Sequence, residues 1–376
     1  MPSPTDIIVV GAGIVGCAVA HELARRGASV QVVDERAVGM GATQASAGML
    51  APYKEAREEG PLFELTVRGF NLYEEFVARV SSDSGMPIAY RRTGTLEVVT
   101  DQSAMSELRA AAAALGRRGV VAEMLDGPSA RREEPQLADE VAGGLLISAH
   151  AFVPANALTL AIAQAARKRG ARFEDRRKVT RIARCDGNMS VETDRGVLHA
   201  GAVVLAAGSW SGSIDTDALV PRIQMTPVRG QLLRLAWAGP RLRRIVWSPS
   251  CYLVPWDDGT VLAGATAERV GFDERTTVEG VRGLMDAACA ITPNARYAGF
   301  RSARVGLRPG TADDLPIIGA SSEAPQLMYA TGHYRNGVLL APITARLVAD
   351  AMLDGRVDPS LAAFSPSRFG VSERSA

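Results

Sequence analysis

The stretch Ile7-Ile8-Val9-Val10-Gly11-Ala12-Gly13-Ile14-Val15-Gly16, close to the start of the chain, decides the fold. It opens with a run of β-branched residues, which is typical of a buried parallel strand. A helical pattern of apolar residues follows over 14–26, and Gly27 is placed to end that helix. A second apolar run over 30–33 predicts another strand, which ends at Asp34. This order of elements predicts a parallel β-α-β unit.

The glycines of this stretch match the G-x-G-x-x-G pattern of dinucleotide-binding proteins. Gly11 permits the tight turn, Gly13 lets the backbone approach a pyrophosphate, and Gly16 lets the helix pack on the strand. The helix N-terminus offers free N–H groups and a positive dipole end to the phosphates. Asp34 is placed to accept hydrogen bonds from ribose hydroxyls and would repel a 2′-phosphate. The pattern predicts a dinucleotide site, and its place at the start of the chain favours FAD over NAD.

The length of the chain indicates its number of domains, and its charge argues against two classes of protein. The chain has 376 residues, enough for roughly two to three domains with buried cores. Its 42 Lys and Arg residues nearly balance its 41 Asp and Glu residues, so that the formal net charge is +1. This balance argues against a nucleic-acid-binding protein, which would carry a basic stripe, and against an acidic disordered chain.

The cysteines and the apolar pattern indicate a cytoplasmic protein without a metal site. Cys17, Cys185, Cys251 and Cys289 stand alone, and the absence of a C-x-x-C pair argues against zinc. Unpaired cysteines are typical of a reducing compartment. The first residues lack the basic and apolar regions of a signal peptide, and no apolar stretch reaches the ~18 residues of a membrane-spanning helix.

The rest of the chain alternates between helical and strand patterns without a clear linker, which favours interleaved domains. Helices are predicted over 64–80, 105–115, 156–170, 278–290 and 339–353, and strands over 94–99, 179–182, 190–193, 203–206 and 327–330. Short strands with turns are predicted over 223–265. Pro342 is tolerable early in the last helix because first-turn N–H groups have no partner within the helix.

Four later segments resemble the D-amino-acid oxidase and glycine oxidase superfamily. The segment 41–50, Gly-Ala-Thr-Gln-Ala-Ser-Ala-Gly-Met-Leu, resembles its second flavin-binding segment. Gly-Leu-Arg-Pro-Gly-Thr at 306–311, Leu-Pro-Ile-Ile-Gly at 315–319 and Thr-Gly-His-Tyr-Arg-Asn-Gly-Val-Leu-Leu-Ala-Pro at 331–342 are closer still. These segments resemble the glycine oxidases of the thiamine-biosynthesis type. The resemblance covers nearly the whole chain, in order.

The resemblance implies an α/β flavoprotein with two discontinuous domains. A Rossmann-like domain of residues 1–85, 150–212 and 300–365 would bind FAD. An antiparallel-sheet domain of residues 86–149 and 213–299 would cover the substrate. The polar composition of residues 366–376 separately predicts a frayed tail. A homo-oligomer, dimer or tetramer, is expected on the same ground.

The resemblance also implies where the substrate binds. Arg308 matches the arginine that holds the substrate carboxylate through parallel hydrogen bonds, and Tyr252 matches the tyrosine whose hydroxyl reaches the same group. Arg335 and Met49 are expected beside the substrate. His333 is not expected to act as a base, because hydride transfer from a neutral amino acid needs none at carbon.

The predicted FAD contacts combine the N-terminal motif with the segments that carry the resemblance. They are Gly11, Ala12, Gly13, Ile14, Val15, Gly16, Asp34, Glu35, Thr43, Ser46, Ala47, Gly48, Met49, Val179, Ala207, Gly208, Trp210, Arg308, Tyr334, Arg335, Asn336, Gly337 and Val338. FAD is expected to be non-covalent, because no cysteine stands in an attachment motif like that of the sarcosine oxidases.

The implied reaction is the oxidation of glycine, sarcosine or a small D-amino acid to an imine, with dioxygen reduced to hydrogen peroxide. The imine then hydrolyses to a keto acid, or glyoxylate from glycine, and ammonia. A dehydrogenase that passes electrons to a quinone or a protein stays open. Intact Arg308 and Tyr252 argue against a flavin-bearing subunit without activity. Family members often carry His and Trp where this chain has Ser250 and Arg304, which leaves the choice of substrate open.

Overall fold

The structure, a computed structural model, describes residues 5–55, 59–217 and 223–369. Its helices are α1 (Ile14–Arg25), α2 (Pro52–Glu55), α3 (Pro61–Asn71), α4 (Tyr73–Ser84), α5 (Met105–Arg117), α6 (Gly127–Glu133), α7 (Ala155–Lys168), α8 (Val278–Ile291) and α9 (Gly337–Asp354). Every predicted helix forms, but the one predicted over 64–80 is divided at Leu72. There the Leu72 N–H donates to the Gly69 carbonyl at 3.3 Å, which closes α3 with a tighter turn.

The strands build two large sheets and one small one. In chain order they are β1 (Thr5–Val10), β2 (Val30–Val33), β3 (Met49–Leu50), β4 (Thr95–Val99), β5 (Glu123–Asp126), β6 (Gly143–Ile147), β7 (Ala151–Phe152), β8 (Arg172–Glu174), β9 (Val179–Cys185), β10 (Asn188–Thr193), β11 (Gly196–Leu205), β12 (Thr226–Ala236), β13 (Ile245–Trp247), β14 (Tyr252–Pro255), β15 (Thr260–Gly264), β16 (Gly299–Gly310), β17 (Ile317–Ala320) and β18 (Leu327–Thr331). No helix within the described ranges has the length and apolar character to cross a bilayer.

The first sheet confirms the β-α-β unit. Its strand order is β17-β18-β11-β1-β2-β8, and a hairpin of β9 and β10 extends from β11. β1 lies between β2 and β11 and is parallel to both. Alternate residues of β1 enter different cores: Ile7 and Val9 pack with α1, α7 and α9, whereas Ile8 and Val10 pack on the opposite face. Burial on both faces is the reason that this strand reads as one continuous apolar run.

The second sheet is almost entirely antiparallel, with strand order β16-β12-β15-β14-β13-β4-β6-β5. Among the described strands of this sheet, only β13 and β4 run parallel to each other. The edge strand β16 pairs with β12 over nearly its whole length. Residues 300–310, expected in the Rossmann-like domain, therefore belong to the second sheet. The remaining domain boundaries stay a prediction.

The end of the described chain is packed rather than frayed. Residues Pro366–Phe369 form a 3-10 turn, and Pro366 is buried. The Arg368 guanidinium pairs with the Asp313 carboxylate at 2.7 Å and donates to the Leu315 carbonyl at 3.0 Å. The expectation of a frayed tail is thus wrong for 366–369, because these contacts hold it. Residues 370–376 lie outside the described residues.

Pro342 lies deeper in α9 than the sequence indicates. Because α9 begins at Gly337, the missing N–H of Pro342 leaves the Val338 carbonyl without its helical donor. The buried Tyr73 hydroxyl of α4 donates to that carbonyl at 2.8 Å. A side chain from another helix thus replaces the lost backbone hydrogen bond. The sequence predicts that Pro342 lies in the first turn of the helix, where no replacement is needed.

We predict that Tyr73→Phe destabilises the protein by about 1–3 kcal/mol, because it leaves a buried carbonyl without a donor. Chemical denaturation monitored by circular dichroism measures the change. Pro342→Ala provides the control, since it restores the N–H that Val338 lacks. In that background the cost of Tyr73→Phe should shrink. If Tyr73→Phe lowers the unfolding free energy equally with Pro342 and with Ala at that position, the Tyr73 hydroxyl does not replace the missing N–H.

Candidate functional site

A cavity of about 440 Å³ lies where the first sheet meets the second. Its lining includes Gly13 and Asp34, which follow β1 and β2 at their carboxyl ends. It also includes Tyr252 of β14 and Arg308 of β16, from the second sheet. A ligand that fills this cavity therefore touches both sheets.

The three glycines of the N-terminal motif have different surroundings. Gly11 has φ +111°, and a Cβ there would lie 2.4 Å from the Ala206 carbonyl oxygen. A Cβ on Gly16 would lie 1.9 Å from the Gly11 carbonyl oxygen, so that Gly16 is required by the packing of α1. A Cβ on Gly13 would meet only the Thr43 hydroxyl, at 3.6 Å. Gly13 thus exposes its backbone to the cavity, as a phosphate cradle requires.

Asp34 holds this turn together. One of its carboxylate oxygens accepts from the Ala12 N–H at 2.6 Å, and the other accepts from the Arg36 N–H at 2.7 Å. Burial raises the pKa of this carboxyl. The side chain also lines the cavity, where each oxygen keeps a lone pair for a ligand hydroxyl. Its contact with ribose stays a prediction.

The wall beside Asp34 includes residues that the sequence did not single out. The Arg36 guanidinium stacks on the Trp210 ring, with 4.3 Å between them, and pairs with the Glu274 carboxylate at 2.6 Å. Phe272 packs on Trp210 with ring centroids 5.9 Å apart. Phe272 and Glu274 come from the segment between β15 and α8. Trp210 is among the predicted FAD contacts, and for Arg36 the sequence signal is its position three residues after β2.

At the other end of the cavity, two glycines make room for the side chains that are predicted to bind the substrate. A Cβ on Gly230 would lie 2.4 Å from the Arg308 guanidinium, and a Cβ on Gly264 would lie 2.6 Å from the Tyr252 hydroxyl. The Arg308 Nη1 donates to the Thr266 carbonyl at 2.9 Å. Among the described residues no carboxylate pairs with Arg308, so that its remaining N–H groups are available to a ligand.

Arg335, by contrast, is already paired. Its Nε lies 3.0 Å from one Glu55 carboxylate oxygen, and its Nη2 donates to the other at 3.2 Å. Both residues line the cavity. Burial raises the pKa of Glu55. Sequence reasoning missed Glu55, although it follows the predicted flavin-binding segment 41–50 by only five residues.

His333 is buried and neutral. Its Nε2 lies 3.0 Å from the Thr344 hydroxyl, and burial lowers its pKa to about 3. The neutral imidazole is held by a hydroxyl of α9, and His333 also belongs to the lining of the cavity. This geometry agrees with the expectation that His333 is not a catalytic base.

Most of the predicted site residues come together in this one cavity. Those that line it are Gly11, Gly13, Ile14, Val15, Asp34, Glu35, Thr43, Ser46, Ala47, Gly48, Met49, Val179, Ala207, Gly208, Trp210, Tyr252, Arg308, Tyr334, Arg335, Gly337 and Val338. Ala12, Gly16 and Asn336 do not line it. Ala12 reaches Asp34 through its N–H, Gly16 packs inside α1, and Asn336 is the buried N-cap of α9.

Comparison with known proteins places the chain among flavoproteins. The family model described as "FAD dependent oxidoreductase" matches residues 6–351. The bifunctional protein ThiO/ThiG of Synechocystis sp. is 35% identical over 98% of this chain and 55% of its own length. This chain thus spans about half the length of the first relatives it matches.

Glycine oxidase of Geobacillus kaustophilus matches over almost its whole length, both in sequence and in structure. A glycine oxidase of Geobacillus kaustophilus is 31% identical over 96% of this chain and 97% of its own. The crystal structure of glycine oxidase from that organism superposes with a TM-score of 0.91, covering 96% of this chain and 98% of that one. With the open cradle at Gly13 and the cavity that leads from it to Arg308, the residues present fit a bound dinucleotide. The chain belongs to the FAD-dependent oxidoreductases of the D-amino-acid oxidase family, and its cofactor is FAD.

Proposed function

We propose that this enzyme oxidises glycine, sarcosine or a small D-amino acid to the imine, with dioxygen as electron acceptor and hydrogen peroxide as product. The imine then hydrolyses in water to glyoxylate or another keto acid and the amine or ammonia. The observation that carries the proposal is the placement of Arg308 and Tyr252 on the wall of the same cavity as Gly11 and Gly13 of the dinucleotide motif.

Arg308 is suited to bind the substrate carboxylate. A planar guanidinium holds a carboxylate by two parallel hydrogen bonds, and the Arg308 Nη1 bond to Thr266 fixes the plane of the group. Tyr252 is buried between the Trp247 ring, 5.6 Å away, and the cavity. Burial raises the pKa of its hydroxyl, which therefore stays protonated and donates to a carboxylate.

The chain needs only to fix the amino acid, whose amine must be neutral for the oxidation. When bound, FAD supplies the two-electron oxidant. The substrate ammonium loses one proton before oxidation, and water can accept it. His333 does not take part, because its imidazole faces Thr344 and its pKa lies far below neutral pH.

The relatives support this class of substrate. The glycine oxidase of Bacillus licheniformis is 30% identical over 94% of this chain. An iminodiacetate oxidase from Chelativorans sp. has a TM-score of 0.87 at 26% identity. Both are named for small amino acids whose nitrogen is bonded to a carbon that bears a carboxylate, one carboxylate in glycine and two in iminodiacetate. Non-covalent FAD, a cytoplasmic location and a dimeric or tetrameric assembly remain predictions.

The test is a visible spectrum of the purified protein during additions without oxygen. Glycine, sarcosine or D-alanine should bleach the flavin bands, and air should restore them with formation of peroxide. If the flavin is reduced but stays reduced in air, dioxygen is not the electron acceptor, and the enzyme is a dehydrogenase that uses a quinone or a protein instead. Flavin that none of these amino acids reduces would contradict the proposed substrates.

A further inference from the structure

We propose that Glu55 restricts the substrate end of the cavity to amino acids with a single carboxylate, because its own carboxylate occupies the second guanidinium there. The inference rests on the proposed function and adds to it the number of carboxylates that the substrate carries. It makes Glu55 a specificity-determining residue.

Two guanidinium groups line this end of the cavity, and they differ in their partners. Arg308 has a backbone carbonyl as its partner. Arg335 receives both oxygens of Glu55, at 3.0 Å and 3.2 Å. This is the two-point geometry with which a substrate carboxylate would bind an arginine. Glu55 thus stands in the position that a second substrate carboxylate would take.

The pair is shielded from water on one side. Only 12% of the Glu55 side chain is exposed, against 41% of the Arg335 side chain. The Arg335 guanidinium also lies 5.7 Å from the Trp247 ring, and Trp247 packs on Tyr252. Arg335 is therefore held close to the predicted carboxylate site, and its charge would act on a ligand bound there.

The charges of these groups match one carboxylate. Two guanidinium cations and one carboxylate leave a single positive charge for the substrate. The nearby Lys54 ammonium is paired with Glu97 at 2.6 Å and does not line the cavity. A second substrate carboxylate would have to displace Glu55, and that would leave a shielded carboxylate without its partner. Such rejection by an unpaired charge is a common source of specificity.

The experiment compares D-aspartate with D-asparagine, which have the same shape but differ by one charge. In wild-type holoenzyme, kcat/KM should favour D-asparagine. In Glu55→Gln the ratio of kcat/KM for D-aspartate to that for D-asparagine should rise at least tenfold, because Arg335 is then free to bind the added carboxylate. Gln keeps the length of the side chain but not its charge, so that a substrate carboxylate can displace it from Arg335.

Two further variants isolate the cause. Glu75→Gln removes an exposed carboxylate that pairs with Arg79 at 2.8 Å and does not line the cavity, so that it should leave the ratio unchanged. Arg335→Ala combined with Glu55→Gln should abolish the gain. An unchanged ratio in Glu55→Gln, or an equal fall for both substrates, would overturn the proposal; the equal fall would indicate that Glu55 binds the substrate ammonium.

A binding measurement tests the proposal without turnover. Acetate and malonate, which carry one and two carboxylates, are titrated into the holoenzyme, and the shift of the flavin spectrum gives each Kd. The affinity for malonate relative to acetate should rise at least tenfold in Glu55→Gln, and an unchanged ratio would overturn the proposal. If no amino acid reduces the flavin, the proposed function fails, and this ratio still decides the role of Glu55. Glu55→Ala, which also removes the carboxylate, serves if Glu55→Gln fails to fold, and the same rise in both ratios is expected.

Discussion

Arg308→Ala is expected to lower kcat/KM for the amino-acid substrate by about 30- to 5,000-fold, which corresponds to about 2–5 kcal/mol. The substitution removes the guanidinium that is available to a carboxylate at the substrate end of the cavity. FAD content should be unchanged, because the predicted cradle for the cofactor lies at Gly11 and Gly13. Steady-state kinetics and the ratio of flavin to protein absorbance measure the two effects.

The matched controls for Arg308 lie on the same strand and in the same side chain. Arg301→Ala removes an exposed arginine of β16 and should leave kcat/KM unchanged. Arg308→Lys keeps the charge but cannot form two parallel hydrogen bonds, so that it should recover only part of the loss. Loss of flavin from Arg308→Ala, or unchanged turnover, would contradict the placement of the substrate carboxylate.

Sequence reasoning was most successful where local pattern and tertiary role coincide. The β-branched run of β1 and the glycines of the motif are each required by the local structure in which they lie. Both faces of β1 are buried, and a Cβ at Gly11 or Gly16 would collide with a carbonyl oxygen. Such local requirements restrict which residue types can occur, and the sequence therefore indicates them.

The features that the sequence did not indicate depend on contacts between distant segments. Glu55 meets Arg335 across 280 residues, and Arg36 meets Glu274 across 238. The position of β16 in the second sheet depends on its pairing with β12, which no local pattern reports. Likewise, Pro342 is tolerated because of Tyr73, 269 residues earlier in the chain.

Gly13→Ala and Gly16→Ala should separate cofactor binding from folding. Gly13 has φ −71° and ψ 178°, which any residue adopts, and its added Cβ would meet only the Thr43 hydroxyl at an ordinary distance. The apoprotein should therefore lose no more than about 1 kcal/mol of unfolding free energy. Its methyl group would stand where the backbone is expected to approach the pyrophosphate, so that FAD affinity should fall at least tenfold.

Gly16→Ala should damage both properties. Its Cβ would lie 1.9 Å from the Gly11 carbonyl oxygen, a backbone atom that cannot move without opening the turn. We expect a loss of about 3 kcal/mol or more in unfolding free energy, as for severe overpacking of a core. FAD affinity should fall with it, since the same turn forms the cradle.

Denaturation of the apoproteins and fluorescence titration with FAD measure the two properties independently. Gly116→Ala is the control, because this helical glycine has nothing within 4 Å of its added Cβ. It should stabilise α5 by up to about 1 kcal/mol and leave FAD affinity unchanged. If Gly13→Ala binds FAD as tightly as wild type, the pyrophosphate does not lie against Gly13, and the cradle would have to be sought elsewhere along the cavity. If Gly13→Ala instead unfolds like Gly16→Ala, Gly13 serves the fold and not the cofactor.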